Sequence, residues 1–130
     1  MSRGAGKPPS QRQLRVGEEL RHALAQVMER TEFRDPALEG VVVTVTEVRV
    51  SPDLRNATAF VLPLGGGDVG AVVEGLRRVK SFLRREITQA VRLQYLPDLS
   101  FEADHSFEQA RHIEALLRSP AVRRDVVAED

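Results

Sequence analysis

The run "VVVTVTEVRVSPDLRNATAFVLPL", Val41 to Leu64, restricts the fold more than any other part of the chain. From Val41 to Val50 nearly every residue is β-branched, a side-chain type that loses freedom in a helix and packs well on a pleated surface. A strand is therefore predicted over Val41–Val50, and its density of valine and threonine reads as a central strand. "SPDLRN" interrupts it with turn-forming residues. "ATAFVLPL" resumes with Ala57, Ala59 and Val61 on one face, so the two segments form an antiparallel hairpin. An isolated hairpin is at best marginal in water, so other segments must cover its apolar face.

Those segments read as helices. Ser10 with Gln13 three residues on has the pattern of a capping box, and Leu20, Ala23, Leu24, Val27 and Met28 recur at helical spacing as far as Arg30. After the hairpin, "GGGDVG" makes a flexible turn. Asp68 is placed to cap a helix carrying Val72, Val73, Leu76 and Val79. The helical pattern continues through Phe82, Leu83, Ile87, Ala90 and Val91, with Ser81 as a cap that predicts a break between two short helices. "YLPDLSFEAD" brings a turn and a third strand with Leu99, Phe101 and Ala103 inward. Ser106 with Gln109 repeats the capping pattern, and Phe107, Ala110, Ile113 and Leu117 stripe a last amphipathic helix. The order is αββααβα, an α+β class.

A chain of 130 residues, 42% apolar and 29% charged, suits one globular unit whose core is aliphatic, because aromatics are only 5%. The expected domain is 10–118, with a disordered tail at 1–9 and a flexible one at 119–130. The absence of cysteine removes disulfides, thiolate nucleophiles and sulfur-held metals. No apolar run approaches the roughly 20 residues that span a bilayer, and "MSRGAGKPPS" has no signal-peptide character. A cytoplasmic, monomeric protein without membrane contact is expected.

Several motifs have a plainer reading than their chemistry suggests. "GGGDVG" satisfies G-x-G-x-x-G, yet a dinucleotide fold needs the next helix to cross over to a parallel strand, and "TQAVRLQ" is polar and helical. It reads as a linker. His105 and His112 lie seven residues apart, too far for helical i, i+4 zinc ligands, and with His22 they read as surface groups. No carboxylate sits alone in an apolar run, and no nucleophile motif occurs. Neither a catalytic residue, a cofactor nor a metal is expected.

The 19 basic and 19 acidic residues cancel overall but are unevenly distributed. Between residues 76 and 92, Arg77, Arg78, Lys80, Arg84, Arg85 and Arg92 face only Glu86, while acids gather at Glu32, Asp35 and Glu39 and near the chain's end. A solvated helix face would explain the cations equally well. Their placement around Ser81 argues for more: backbone N–H groups at a helix start, flanked by cations, suit a phosphodiester backbone. Arg12 and Arg15 on the first helix would add secondary contacts.

The order αββααβ with a basic turn between its middle helices resembles a type II KH domain. The wording is closer still to the bacterial ribosome-binding factor A family, through "RVGEELRHALAQVM", "DP" at Asp35 and Pro36, "VTVTEVRVSPDLRNATAFV", "FLRREI", "RLQYLPDLSFEAD" and "IEALL". The resemblance runs from about Gln13 to Leu117. It implies a non-catalytic factor that binds the small ribosomal subunit through its rRNA and assists late maturation and rRNA processing, with a role in the cold. A maturation GTPase is a further expected partner. The family's A-x-G kink aligns with Val79, Lys80 and Ser81, so both small residues differ here. The competing reading is a protein-interaction module that docks a ribosomal protein or a maturation GTPase without touching RNA.

Overall fold

The structure, a computed structural model, describes residues 7–93 and 95–117, the side chains of 107–112 excepted. Its elements are α1 (Gln11–Arg30), β1 (Val43–Val50), β2 (Asn56–Pro63), α2 (Val69–Arg78), α3 (Lys80–Ala90), β3 (Asp98–Ala103) and α4 (Ser106–Leu117). The predicted order αββααβα is present, and it is the α+β, type II KH-like arrangement. Most of both expected tails, 1–6 and 119–130, falls outside the described residues.

The sheet order is β1-β2-β3, with β1 antiparallel to β2 and β2 parallel to β3. This corrects two expectations. β1 is an edge strand and β2 the central one, because β-branched content reports fit to a pleated surface and not position within a sheet. The chain after "GGGDVG" does cross over to a parallel strand, but through two helices before β3. The glycine-rich segment is still a turn: Gly65, Gly66 and Gly67 all have positive φ, at 83°, 88° and 119°, which only glycine adopts without strain.

One apolar cluster joins the sheet to its helices. Val45, Val48 and Val50 of β1, Ala57, Ala59 and Val61 of β2, and Leu99 and Phe101 of β3 meet Leu20, Leu24 and Val27 of α1, Leu76 of α2, and Leu83 and Ile87 of α3. Phe60 is buried outside that cluster, as strand alternation requires. Helix α1 lies very close to β1. A Cβ on Gly17 would stand 2.6 Å from the Val48 carbonyl oxygen, so glycine is required there. The Ser10–Gln13 capping box starts α1, and the Gln13 side-chain amide also donates to the Val50 carbonyl at 2.9 Å.

Strand β1 carries a bulge between Val45 and Glu47. The extra residue, Thr46, donates its hydroxyl to the Phe60 carbonyl at 3.2 Å and to the Asp104 carboxylate. Asp104 is 7% exposed, and it also accepts from the Ser106 backbone N–H at 2.8 Å and from the Ser106 hydroxyl. No local pattern around Asp104 marks this carboxylate as buried. Ser106 is thus the first residue of α4, held by Asp104, where the sequence suggested it as the cap. The Gln109, Phe107 and Ala110 side chains lie outside the described ones. Ile113 and Leu117, expected to stripe a covered face, are 57% and 55% exposed.

Candidate nucleic-acid interface

The two middle helices meet at Val79, which ends α2 and starts α3 with φ −101° and ψ 14°. Its N–H donates to the Gly75 carbonyl at 3.2 Å, and its own carbonyl accepts from the Leu83 N–H at 3.1 Å. The predicted break therefore exists, two residues earlier than the proposed cap. No side chain caps α3, and Ser81 is an exposed residue of its first turn. The bridge-region conformation of one residue suffices to interrupt the ladder, so a capping hydroxyl is not needed.

The six cations of this region divide by what they hold. Arg78 is clamped: its Nε and Nη2 donate to the two carboxylate oxygens of Asp35 at 2.8 and 2.9 Å. The Asp35 side chain is 9% exposed and also accepts from the Ala37 N–H at 2.9 Å. The guanidinium of Arg78, and next the Ala37 N–H, hold the Asp35 carboxyl below its usual range. Gly75, one turn before Arg78, permits this packing, since a Cβ there would come within 2.9 Å of Leu38 and 3.1 Å of Asp35. An acid remote in sequence thus returns to occupy one of the cations.

Arg77 pairs with Glu74 and donates to the Phe101 carbonyl at 3.3 Å. Lys80 pairs with Asp98 at 3.1 Å. Arg84, half-buried, donates to the Pro97 carbonyl at 3.0 Å, which ties α3 to the start of β3. Glu86, the lone acid among these cations, is taken by Arg30 of α1 at 3.1 Å. The side chains of Arg85 and Arg92 are exposed and make no hydrogen bond or ion pair among the described residues, and the same holds for Arg12 and Arg15 on α1.

An exposed pair such as Arg77–Glu74 is worth little and can be exchanged for a phosphate. A bidentate pair on a covered carboxylate is much harder to exchange, since the acid would be left without its partner. The arrangement therefore offers Arg85, Arg92, Arg12 and Arg15 at once, Arg77 and Lys80 by exchange, and keeps Arg78 and Arg84 for holding the helices in place. Sequence reasoning found the cations and missed their acids. The only signal was "DP", a turn dipeptide whose Asp is well suited to bonding backbone two residues on.

A cavity of about 340 Å³ opens beside this surface, where the extended segment leaving α3 passes α1. Glu19, His22, Ala23, Gln26, Ala90, Val91 and Arg92 line it. No sequence motif marks it, because it joins residues of two elements far apart in the chain. Among the described residues no group of three or more His, Asp or Glu could hold a metal ion.

A family model described as ribosome-binding factor A matches residues 12–117. The ribosome-binding factor A of Paramagnetospirillum magneticum is 66% identical over 126 residues, covering 97% of this chain and 88% of that protein. That of Rhodospirillum rubrum is 56% identical, covering 97% of this chain and 77% of the other. Among solved structures, a Thermotoga maritima protein described as a putative ribosome-binding factor A superposes with a TM-score of 0.59 at 31% identity, over 75% of this chain and 91% of that one. A Thermus thermophilus ribosome-binding factor A, a homology model fitted into a map of a 30S complex, gives a TM-score of 0.55 at 23% identity, over 68% and 91% of the two chains. With the match to the family model extending over nearly all of the folded elements, this chain belongs to the ribosome-binding factor A family.

Proposed function

We propose that the protein is a ribosome-binding factor that associates with free small ribosomal subunits by direct contact with their rRNA. It assists late maturation and rRNA processing as a cytoplasmic, monomeric binding factor without catalysis, and matters most for growth in the cold. Residues 10–118 form the RNA-binding unit. The observation that carries this reading is the exposure of Arg85 on α3 and of Arg92 just past its end, both without acidic partners among the described residues, in a chain of net charge zero. Four of the six cations between residues 76 and 92 are held by protein partners, and the two left exposed suit an external polyanion. Arg12 and Arg15 extend the contact, Arg77, Lys80, Ser81 and Arg84 border it, and Arg78 fixes the end of α2. The Thermus relative fitted to a 30S complex supports the same partner.

Co-sedimentation tests this. The protein should pellet with free small subunits at low salt, be released by a few hundred millimolar salt, bind protein-stripped small-subunit rRNA, and bind joined ribosomes more weakly. Binding that resists salt and disappears on stripped rRNA would replace this reading with docking onto a ribosomal protein or a maturation GTPase.

A further inference from the structure

We propose that the cavity between α1 and the segment leaving α3 is a pocket for one unstacked RNA base, separate from the phosphate contacts around Arg85. This inference rests on the RNA-binding reading and adds to it a site for base recognition. Single-stranded RNA is recognised by splaying a base onto an aromatic or apolar platform and bonding its edge, and the residues here supply each part. Within a mostly polar lining, Ala23, 5% exposed, and Ala90 and Val91 across from it supply the apolar contacts. At about 340 Å³ the space is at the small end of ligand pockets and suits a single ring system.

The rim is polar in a useful order. His22 offers an imidazole plane for stacking, and its Nε2 lies 3.5 Å from the Glu18 carboxylate, a contact that restrains the ring. Glu19 presents acceptors, and Gln26 both a donor and an acceptor. A carboxylate repels phosphate but accepts from an exocyclic amino group, which guanine, adenine and cytosine carry and uracil lacks, so this rim favours those three over uracil, whose base edge offers only its imino N–H. Arg92, exposed at the mouth, suits the phosphate of the same nucleotide.

Spacing on α1 supports the direction of the strand. Arg12, Arg15, Glu19, His22 and Gln26 follow one another by three, four, three and four residues, so they form one stripe along the helix. The pocket residues occupy its C-terminal half and two unpartnered arginines its N-terminal half. A single strand whose base enters between Glu19 and Gln26 would run its backbone along the stripe toward Arg15 and Arg12. The proposed phosphate contact at Arg85 needs none of this.

The test uses the full chain, isotope-labelled, titrated with four single-stranded tetranucleotide RNAs, one of each base. Backbone amides of Ala23, Ala90 and Val91 should shift, with the smallest response to the uridine strand, and the shifts should vanish in a His22→Ala, Gln26→Ala double variant. Both residues are exposed, so the variant should melt with the wild type. Base stacking on a side chain supports a loss of about 5- to 150-fold in affinity for small subunits, with the salt slope unchanged because no phosphate contact is removed. Absence of shifts at these three residues with all four strands, while Arg85 and its neighbours respond, would overturn the pocket and leave the RNA-binding reading standing. Equal responses to all four strands would overturn the edge recognition by Glu19. If no RNA perturbs any part of the protein, the RNA-binding reading fails first.

Discussion

Replacing Arg85 and Arg92 together by alanine separates phosphate binding from structural ion pairing. Both are exposed and hold no partner among the described residues, so the fold should lose no more than about 0.5 kcal/mol, as for ordinary surface substitutions. Each phosphate contact to nucleic acid contributes about 0.7 to 0.9 to the slope of log affinity against log salt, so two lost contacts lower it by about 1.4 to 1.8. Between about 50 and 200 mM salt, log salt changes by about 0.6. Wild-type affinity for small subunits should consequently fall about 7- to 12-fold further over that interval than the variant's affinity does. Sedimentation or fluorescence titration at four salt concentrations measures both slopes. Parallel slopes with unchanged affinity would refute the assignment of these arginines to the contact. A loss of affinity with parallel slopes would mean that they act on something other than phosphate.

Three further perturbations probe the scaffold. Gly17→Ala places a Cβ 2.6 Å from the Val48 carbonyl oxygen, so overpacking of about 1 to 3 kcal/mol should exceed the gain of about 1 kcal/mol in helix propensity, and thermal unfolding should move down; a variant melting above wild type would contradict the close approach. Ser81→Ala should be neutral within about 0.5 kcal/mol, whereas loss of a true cap costs about 0.5 to 2 kcal/mol, so urea unfolding distinguishes a helix starting at Val79 from one starting at Ser81. Because the Asp35 carboxyl is held low by Arg78, its stabilisation should be complete above the unfolded carboxyl value of about 3.9 and be lost as pH falls through the lower folded value. Arg78→Ala should remove that acid-side dependence, and identical acid unfolding profiles would argue against the clamp.

How much of this was legible depended on whether a feature was local. The capping box at Ser10 and the cap at Asp68 use neighbours three residues apart, and the alternation of Ala57, Ala59 and Val61 follows from a period of two, so all were readable. The position of β1 in the sheet was not, since an edge strand packed under α1 needs the same valines as a central one. The helix break was visible as a pattern, but its placement at Val79 follows from backbone geometry that no residue type announces. The burial of Asp104 was not readable, because its partners, Thr46 and the Ser106 backbone, come from a bulge and a helix start. The cationic run was the clearest functional sign, and its composition concealed that Asp35, Glu74 and Asp98 come back to meet it.

That return bears on how a chain of zero net charge would, on the proposed function, recognise a polyanion. Cations left entirely bare would repel one another across the Val79 junction, where α2 ends with Arg77 and Arg78 and α3 begins with Lys80. Pairing Arg78 with a covered Asp35 relieves that repulsion and anchors α2, while the exposed pairs of Arg77 and Lys80 relieve it reversibly. Such pairs cost little to break at a phosphate surface and re-form on release, so they moderate affinity without abolishing attraction. On the proposed function, a factor that leaves the particle it helps to build would benefit from this division. The exposed arginines would, on that function, supply the attraction to rRNA, and the exchangeable pairs of Arg77 and Lys80 would offer those cations an alternative partner on departure.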